Sequence, residues 1–253
     1  MQKIKSCAKM LMKWGENVEK ESFVNKGVLT GNMLKIIALI TMTIDHVGYF
    51  LYPTEQWLRI IGRIAFPIFA FLIAEGCRYT RNKKKYFITM LIFAVVCQVA
   101  MSIATGSLTM NIFVTFIFSQ LMIFAFDQAV KTKKISHIII ALVTFTLIAV
   151  IMLVIPSVVP RTLGLSFDYG FFGALLPLFV YLGRNKISKV ILCAIGLLPL
   201  CLTLGFSIQW YCYLALIPLA LYNGKRGKLK LKYFFYFYYP AHVLIILLIS
   251  MLM

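Results

Sequence analysis

No C-x-x-C pair, no G-x-x-x-x-G-K-[ST] loop, no G-x-S-x-G elbow and no H-E-x-x-H helix occurs in this chain. P-loop, nucleophile-elbow and zincin chemistries are thereby excluded. Acidic residues are scarce, with eight Asp and Glu against 26 Lys and Arg. The six cysteines, Cys7, Cys77, Cys97, Cys193, Cys201 and Cys212, lie mostly in apolar runs, where they read as small buried hydrophobes, not as a disulfide frame or metal set. The first thirty residues hold no unbroken apolar core ahead of a small-residue cleavage site, so they do not read as a secretory signal.

What is abundant is apolar. Hydrophobic residues make up 61% of the sequence, against roughly 45–50% in globular domains. Nine apolar segments can be drawn, at about 33–52, 57–77, 86–104, 110–130, 135–155, 168–183, 188–204, 207–222 and 233–252. A helix crosses the bilayer core in ~20 residues. The expected fold is therefore all-α and polytopic, with about nine transmembrane helices. The sixth and eighth segments are short, and Pro177 and Pro218 within them predict kinks or tilts.

The net charge of +18 would suit nucleic acid, but its placement does not. No surface with interleaved aromatic and basic residues appears. Instead, 23 of the 26 Lys and Arg fall in alternate connections: Lys3 to Lys35, Arg78 to Lys85, Lys131 to Lys134, Arg184 to Lys189 and Lys225 to Lys232. The intervening connections hold only Arg161. The positive-inside rule then predicts a cytoplasmic amino terminus. Two regions follow. Residues 1–30, with Ile4, Cys7, Leu11 and Val18 at helical spacing among lysines, read as a basic amphipathic segment on the cytoplasmic leaflet; residues 31–253 form the membrane domain.

Polar groups inside spans are costly and point to function. The first span carries Asp45 and His46, and the second Arg59, Arg63 and Glu75. At 1.5 Å per residue, Asp45 and His46 lie ~18–20 Å from the inner boundary and Arg63 ~21 Å, in a ~30 Å core. An Asp45 pair with Arg63 or Arg59, which share a helix face, is the least costly arrangement of those charges. His242 lies in the last span, Asn111 opens the fourth, and Asp168 with Tyr169 opens the sixth. Such groups either tie helices together or form a site. A proton relay through Asp45 and His46 in a solute or lipid transporter is one such site.

Three blocks of sequence point further. Leu34 to Gly48, containing Thr-Ile-Asp-His-Val-Gly, resembles the opening helix of the TraX family, named for a conjugation protein that acetylates the amino terminus of pilin. Leu58 to Gly76 resembles that family's second helix, and Tyr79 to Tyr86 its basic loop. Weaker likeness recurs at Asn111–Thr115, Asp168–Gly173 and Phe237–His242, so the resemblance spans about residues 33–245. It implies kinship with multi-pass membrane acyltransferases in a bacterial plasma membrane and acetyl-CoA as donor. It also implies a histidine near the end of the first helix as general base, here His46. On this reading Asp45 and Arg63 hold the helices in register, and Arg63 or Asn111 donates to the oxyanion. Asp168, Tyr169, Tyr239 and His242 line the acceptor side. The clusters holding Arg78, Arg81, Lys85, Lys225 and Arg226 receive the phosphates of CoA. The acceptor would be an amine or hydroxyl of a peptide, lipopeptide or glycan. No metal site is expected.

Overall fold

The computed structural model describes residues 27–160, 162, 164–204, 208–228 and 232–252. The amphipathic segment expected over residues 1–30 therefore lies almost wholly outside the described residues.

Helix α1 spans Gly31–Phe50 and begins where the Thr30 hydroxyl accepts the Met33 N–H. Helices α2 (Gln56–Gly62) and α3 (Ala65–Tyr79) follow, then α4 (Lys83–Thr105) and α5 (Ile112–Thr132). Helix α6 (Ile135–Ala149) continues through a π-helical turn at Val150–Val154 into α7 (Ile155–Val158). Helices α8 (Gly170–Leu182) and α9 (Lys186–Thr203) come next, then a 3-10 stretch (Ile208–Ala215), α10 (Leu216–Ala220) and α11 (Lys232–Leu252). Asn82, Asn111 and Asn185 cap α4, α5 and α9 with their side chains, each satisfying a backbone N–H that the helix cannot.

Six stretches are long and apolar enough to cross a membrane: Gly31–Phe50, Gln56–Tyr79, Lys83–Ile103, Ile112–Thr132, Ile135–Val158 and Lys186–Thr203. The segments Gly170–Leu182, Ile208–Ala220 and Phe237–Leu252 are shorter apolar helices. The protein is thus a predominantly helical, multi-pass membrane protein. Its apolar residues face outward as well as inward, as lipid requires. On α6 only Ala141 and Ile148 are buried, whereas Leu142, Val143 and Leu147 are exposed. The interior packs α1, α3, α5, α8 and α9 around Leu34, Ile68, Phe71, Leu176 and Leu197.

Three details depart from uninterrupted helices, and proline accounts for each. The second predicted segment is broken at Arg63 and Ile64, because Pro67 has no N–H for the Arg63 carbonyl. Pro156 likewise cannot serve Met152 inside the π-helical turn, and Pro218 cannot serve Leu214 at the end of the 3-10 stretch. The all-α expectation also misses two short strands, β1 (Thr109–Met110) and β2 (Ser166–Phe167), paired in parallel with Thr109 opposite Ser166.

The basic connections gather at one end of the bundle. Gly31 and Asn32 donate their N–H groups to the Lys225 and Arg226 carbonyls, at 2.8 and 3.0 Å. Arg78 donates to the Tyr181 and Gly183 carbonyls, and Lys83 pairs with Asp127. Lys189 pairs with Glu75 at 2.6 Å. The backbone bonds tie one basic connection to another, and the side-chain contacts tie basic residues to the ends of neighbouring helices.

Candidate active site

Two polar systems leave α1 from adjacent residues. Consecutive helical positions differ by ~100°, so Asp45 and His46 face different neighbours.

Asp45 faces the break between α2 and α3. Its Oδ2 accepts Arg59 Nη1 and its Oδ1 accepts Arg63 Nη2, both at 2.6 Å. Sequence reasoning proposed either arginine; the structure places both on the one carboxylate. Arg59 also donates to the Asp45 carbonyl at 3.2 Å, and Arg63 to Gln209 Oε1 at 3.3 Å. The approach is close because Gly62 lacks a side chain: a Cβ there would stand 2.1 Å from Asp45 Oδ1. The Arg63 guanidinium lies 5.7 Å from the centre of the Tyr169 ring, which stacks on Phe66. Tyr169 has φ 59°, a left-handed conformation that costs a non-glycine residue roughly 1–2 kcal/mol. Asp168 lies just ahead of it, its carbonyl accepting the Thr115 hydroxyl at 2.7 Å.

His46 faces α11. Its Nδ1 lies 2.7 Å from His242 Nε2, and His242 Nδ1 lies 2.9 Å from the Tyr238 carbonyl. A carbonyl only accepts, so His242 Nδ1 carries a proton. In the neutral ring its Nε2 is then an acceptor, and His46 Nδ1 donates to it. The proton of neutral His46 is thereby fixed on Nδ1, which leaves Nε2 with a lone pair. The two rings stack at 5.0 Å, with Tyr238 stacked beyond at 5.1 Å and Tyr239 edge-on to both histidines. Thr43 donates to the Leu39 carbonyl, so it accepts from the Tyr238 hydroxyl at 2.8 Å.

A cavity of about 550 Å³ is lined by Tyr239, which stands edge-on to both histidines, but by neither histidine itself; its volume is within the ~300–1,000 Å³ typical of small-molecule sites. Lys35, Lys85 and Arg226 stand at the basic end. Leu39, Phe69, Leu72 and Phe116 line it further in. Met42, one turn before His46 on α1, and Tyr239 line its far end.

The expected site residues fall into three groups. His46, His242 and Tyr239 meet, as do Asp45, Arg63 and Tyr169. Lys85 and Arg226 line the cavity, while Arg81 and Lys225 are exposed nearby in the chain but do not line it. Two residues have other tasks. Arg78 is committed to the carbonyls at the end of α8 and lies over the Tyr181 ring. Asn111 Nδ2 donates to the Ala94 carbonyl and Gln98 Oε1, both at 3.0 Å, while its Oδ1 caps α5, so its amide is engaged in holding helices. Arg63 does not line the large cavity. Lys35 is a cavity residue that the sequence pattern does not mark; it lies one helical turn after Gly31, on the face that meets the loop carrying Arg226.

The family profile described as "TraX protein" matches residues 30–250. A probable fimbrial assembly protein FimC, serogroup H1, of Dichelobacter nodosus is 26% identical over 241 residues, covering 83% of this chain and 91% of that protein. An uncharacterised protein of Rickettsia prowazekii (strain Madrid E) is 35% identical over 102 residues, covering 40% of this chain and 39% of its own. No solved structure matches. The matched span runs from the cap of α1 to the last turns of α11 and so encloses both polar systems and the large cavity: the chain belongs to the TraX family.

Proposed function

We propose that this protein is a membrane acetyltransferase that takes acetyl-CoA into the large cavity and passes the acetyl group to an amine or hydroxyl acceptor. The observation that carries this reading is the cavity itself, basic at one end and lined further in by Tyr239, whose ring packs edge-on against a histidine with its Nε2 lone pair set by its neighbour. Lys35, Lys85 and Arg226 suit the phosphates of CoA, and the apolar walls suit its pantetheine arm.

The chemistry needs one base. As the acceptor's nitrogen or oxygen attacks the thioester carbonyl carbon, His46 Nε2 takes its proton. The charge on the imidazolium is steadied through Nδ1–H by His242 Nε2. The carbon–sulfur bond then breaks, and the thiolate leaves with a proton returned from His46. Tyr239, at the cavity's far end and edge-on to both rings, is the donor proposed for the thioester oxygen. Asp45, Arg59 and Arg63 hold the base's helix against α2 and α3.

The charge distribution supports nine crossings with the basic end and the amino terminus in the cytoplasm, in a bacterial plasma membrane, where acetyl-CoA is supplied. The name of the Dichelobacter relative favours a polypeptide acceptor over a glycan. The transporter reading fits less well. Asp45 is paired to two arginines and His46 to His242, so the two residues do not form a relay together.

The test is thermal stabilisation of the detergent-purified chain by CoA and acetyl-CoA, compared with dephospho-CoA and free pantetheine. A rise in melting temperature with the first two, weaker without the 3′-phosphate, is expected. Absence of any shift at millimolar ligand would overturn the donor assignment, and flux in sealed vesicles would then favour transport.

A further inference from the structure

A second cavity, of about 270 Å³, opens on the other side of the α1 charge system and is lined by Arg59, Arg63, Leu204, Ile208 and Gln209. Two guanidinium groups face it, and a single carboxylate, that of Asp45, pairs with both. The cluster is left with one positive charge over its own ion pairs, at a membrane depth where unbalanced charge is costly. Asp168 also acts electrostatically on Arg63, but it forms no ion pair among the described residues and does not line the cavity. Arg63 Nε is buried with no partner among the described residues. Gln209 accepts Arg63 Nη1 through Oε1 and adds an amide to the wall. The remaining lining is aliphatic.

We propose that this cavity is an anion subsite that binds a carboxylate or phosphate group carried by the acceptor. Planar guanidinium groups bind either oxyanion through paired N–H donors. The two lining arginines pair with Asp45, which is one residue along α1 from the general base, on a helix only ~10–12 Å across. On this proposal an acceptor whose anionic group is held by Arg59 and Arg63 extends past α1 to reach His46. Donor and acceptor would then approach the base from different sides, the donor from the basic cavity and the acceptor past the arginine pair. The inference rests on the acetyltransferase reading for its meaning, but not for its detection.

The experiment follows the melting temperature of the detergent-purified full chain. Inorganic phosphate and, separately, acetate are titrated against chloride at matched ionic strength, with saturating CoA present so that the basic mouth is occupied. A saturable rise with at least one anion is expected. Phosphate alone would indicate a phosphate-bearing acceptor; acetate would indicate a carboxylate-bearing one. Leu204→Glu, which supplies a carboxylate from the cavity wall and leaves the arginines in place, is expected to abolish the rise while preserving the response to CoA. Ile208→Glu repeats the test from a second wall position. Absence of an effect beyond chloride, or an effect that survives both variants, would overturn the subsite. Should CoA itself give no shift, the donor reading fails separately. The same titration on a Lys85→Gln/Arg226→Gln variant, which lacks two mouth cations, then decides the subsite alone.

Discussion

His46 and His242 are 196 residues apart in sequence, yet their facing nitrogens lie 2.7 Å apart, and the Tyr238 carbonyl behind them sets the proton order of the pair. This arrangement makes the two histidines unequal. His46 keeps a lone pair on Nε2, whereas both nitrogens of His242 are already engaged.

His46→Ala is expected to lower acetyl transfer by about 10²–10⁴-fold, the usual contribution of a positioned general base. CoA should still stabilise the variant. Thiol release from acetyl-CoA in the presence of acceptor measures the first effect and thermal shift the second. Full activity would remove His46 from the mechanism.

His242→Phe keeps the ring packing against Tyr238 but removes the acceptor for His46 Nδ1–H. The expected result is a fall in kcat of about tenfold, equivalent to ~1.4 kcal/mol of lost transition-state stabilisation, with KM for acetyl-CoA little changed. A rise in KM with kcat intact would instead make His242 a donor-binding residue.

At the mouth, Lys85→Gln and Arg226→Gln should each weaken CoA binding by about tenfold, or ~1.4 kcal/mol. Dephospho-CoA should be less affected. Arg78→Gln should behave differently, lowering the melting temperature while leaving affinity unchanged in the folded fraction, because its guanidinium holds the carbonyls that end α8. Isothermal titration separates the two outcomes.

Gly62→Ala tests the packing of the Asp45 system. The added methyl would meet the Asp45 carboxylate at 2.1 Å, so either α2 moves or the ion pairs break. Losing a partner from a buried charge costs roughly 3–5 kcal/mol, and a comparable loss of stability is expected. An unchanged melting temperature would mean that the helices separate easily there.

Glu75 and Lys189 form a buried pair at 2.6 Å in a wall of the large cavity. Glu75→Gln and Lys189→Met should each destabilise the protein, and the double variant should recover part of that loss, since neither charge is then left alone. Additive effects in this cycle would show that the pair contributes no coupling.

Much of this architecture is legible in the chain. Hydropathy marks the helices, and alternating charge marks the end at which the basic connections meet. Depth counting brings Asp45 level with Arg63, and the ion pair confirms it. The rest depends on long-range packing. Nothing near His46 names His242 as its partner, because the rotation and tilt of α11 against α1 are not encoded locally. Asn111 and Arg78 look functional for the same reason that they are structural: each is a polar group satisfied inside an apolar protein. The split at Arg63 follows from Pro67, but how tightly the break closes on Asp45 depends on Gly48 and Gly62 meeting their neighbours across the α1–α2 contact.

The backbone bonds from Gly31 and Asn32 to Lys225 and Arg226 bear on biogenesis. The first helix leaves the ribosome long before its acceptors at residues 225 and 226 are made. During that interval the head of α1 has neither its partner carbonyls nor the arginine that completes the mouth of the large cavity. A chain shortened before this loop can insert its early helices yet never assemble the mouth, so ligand binding reports on completed synthesis rather than on insertion.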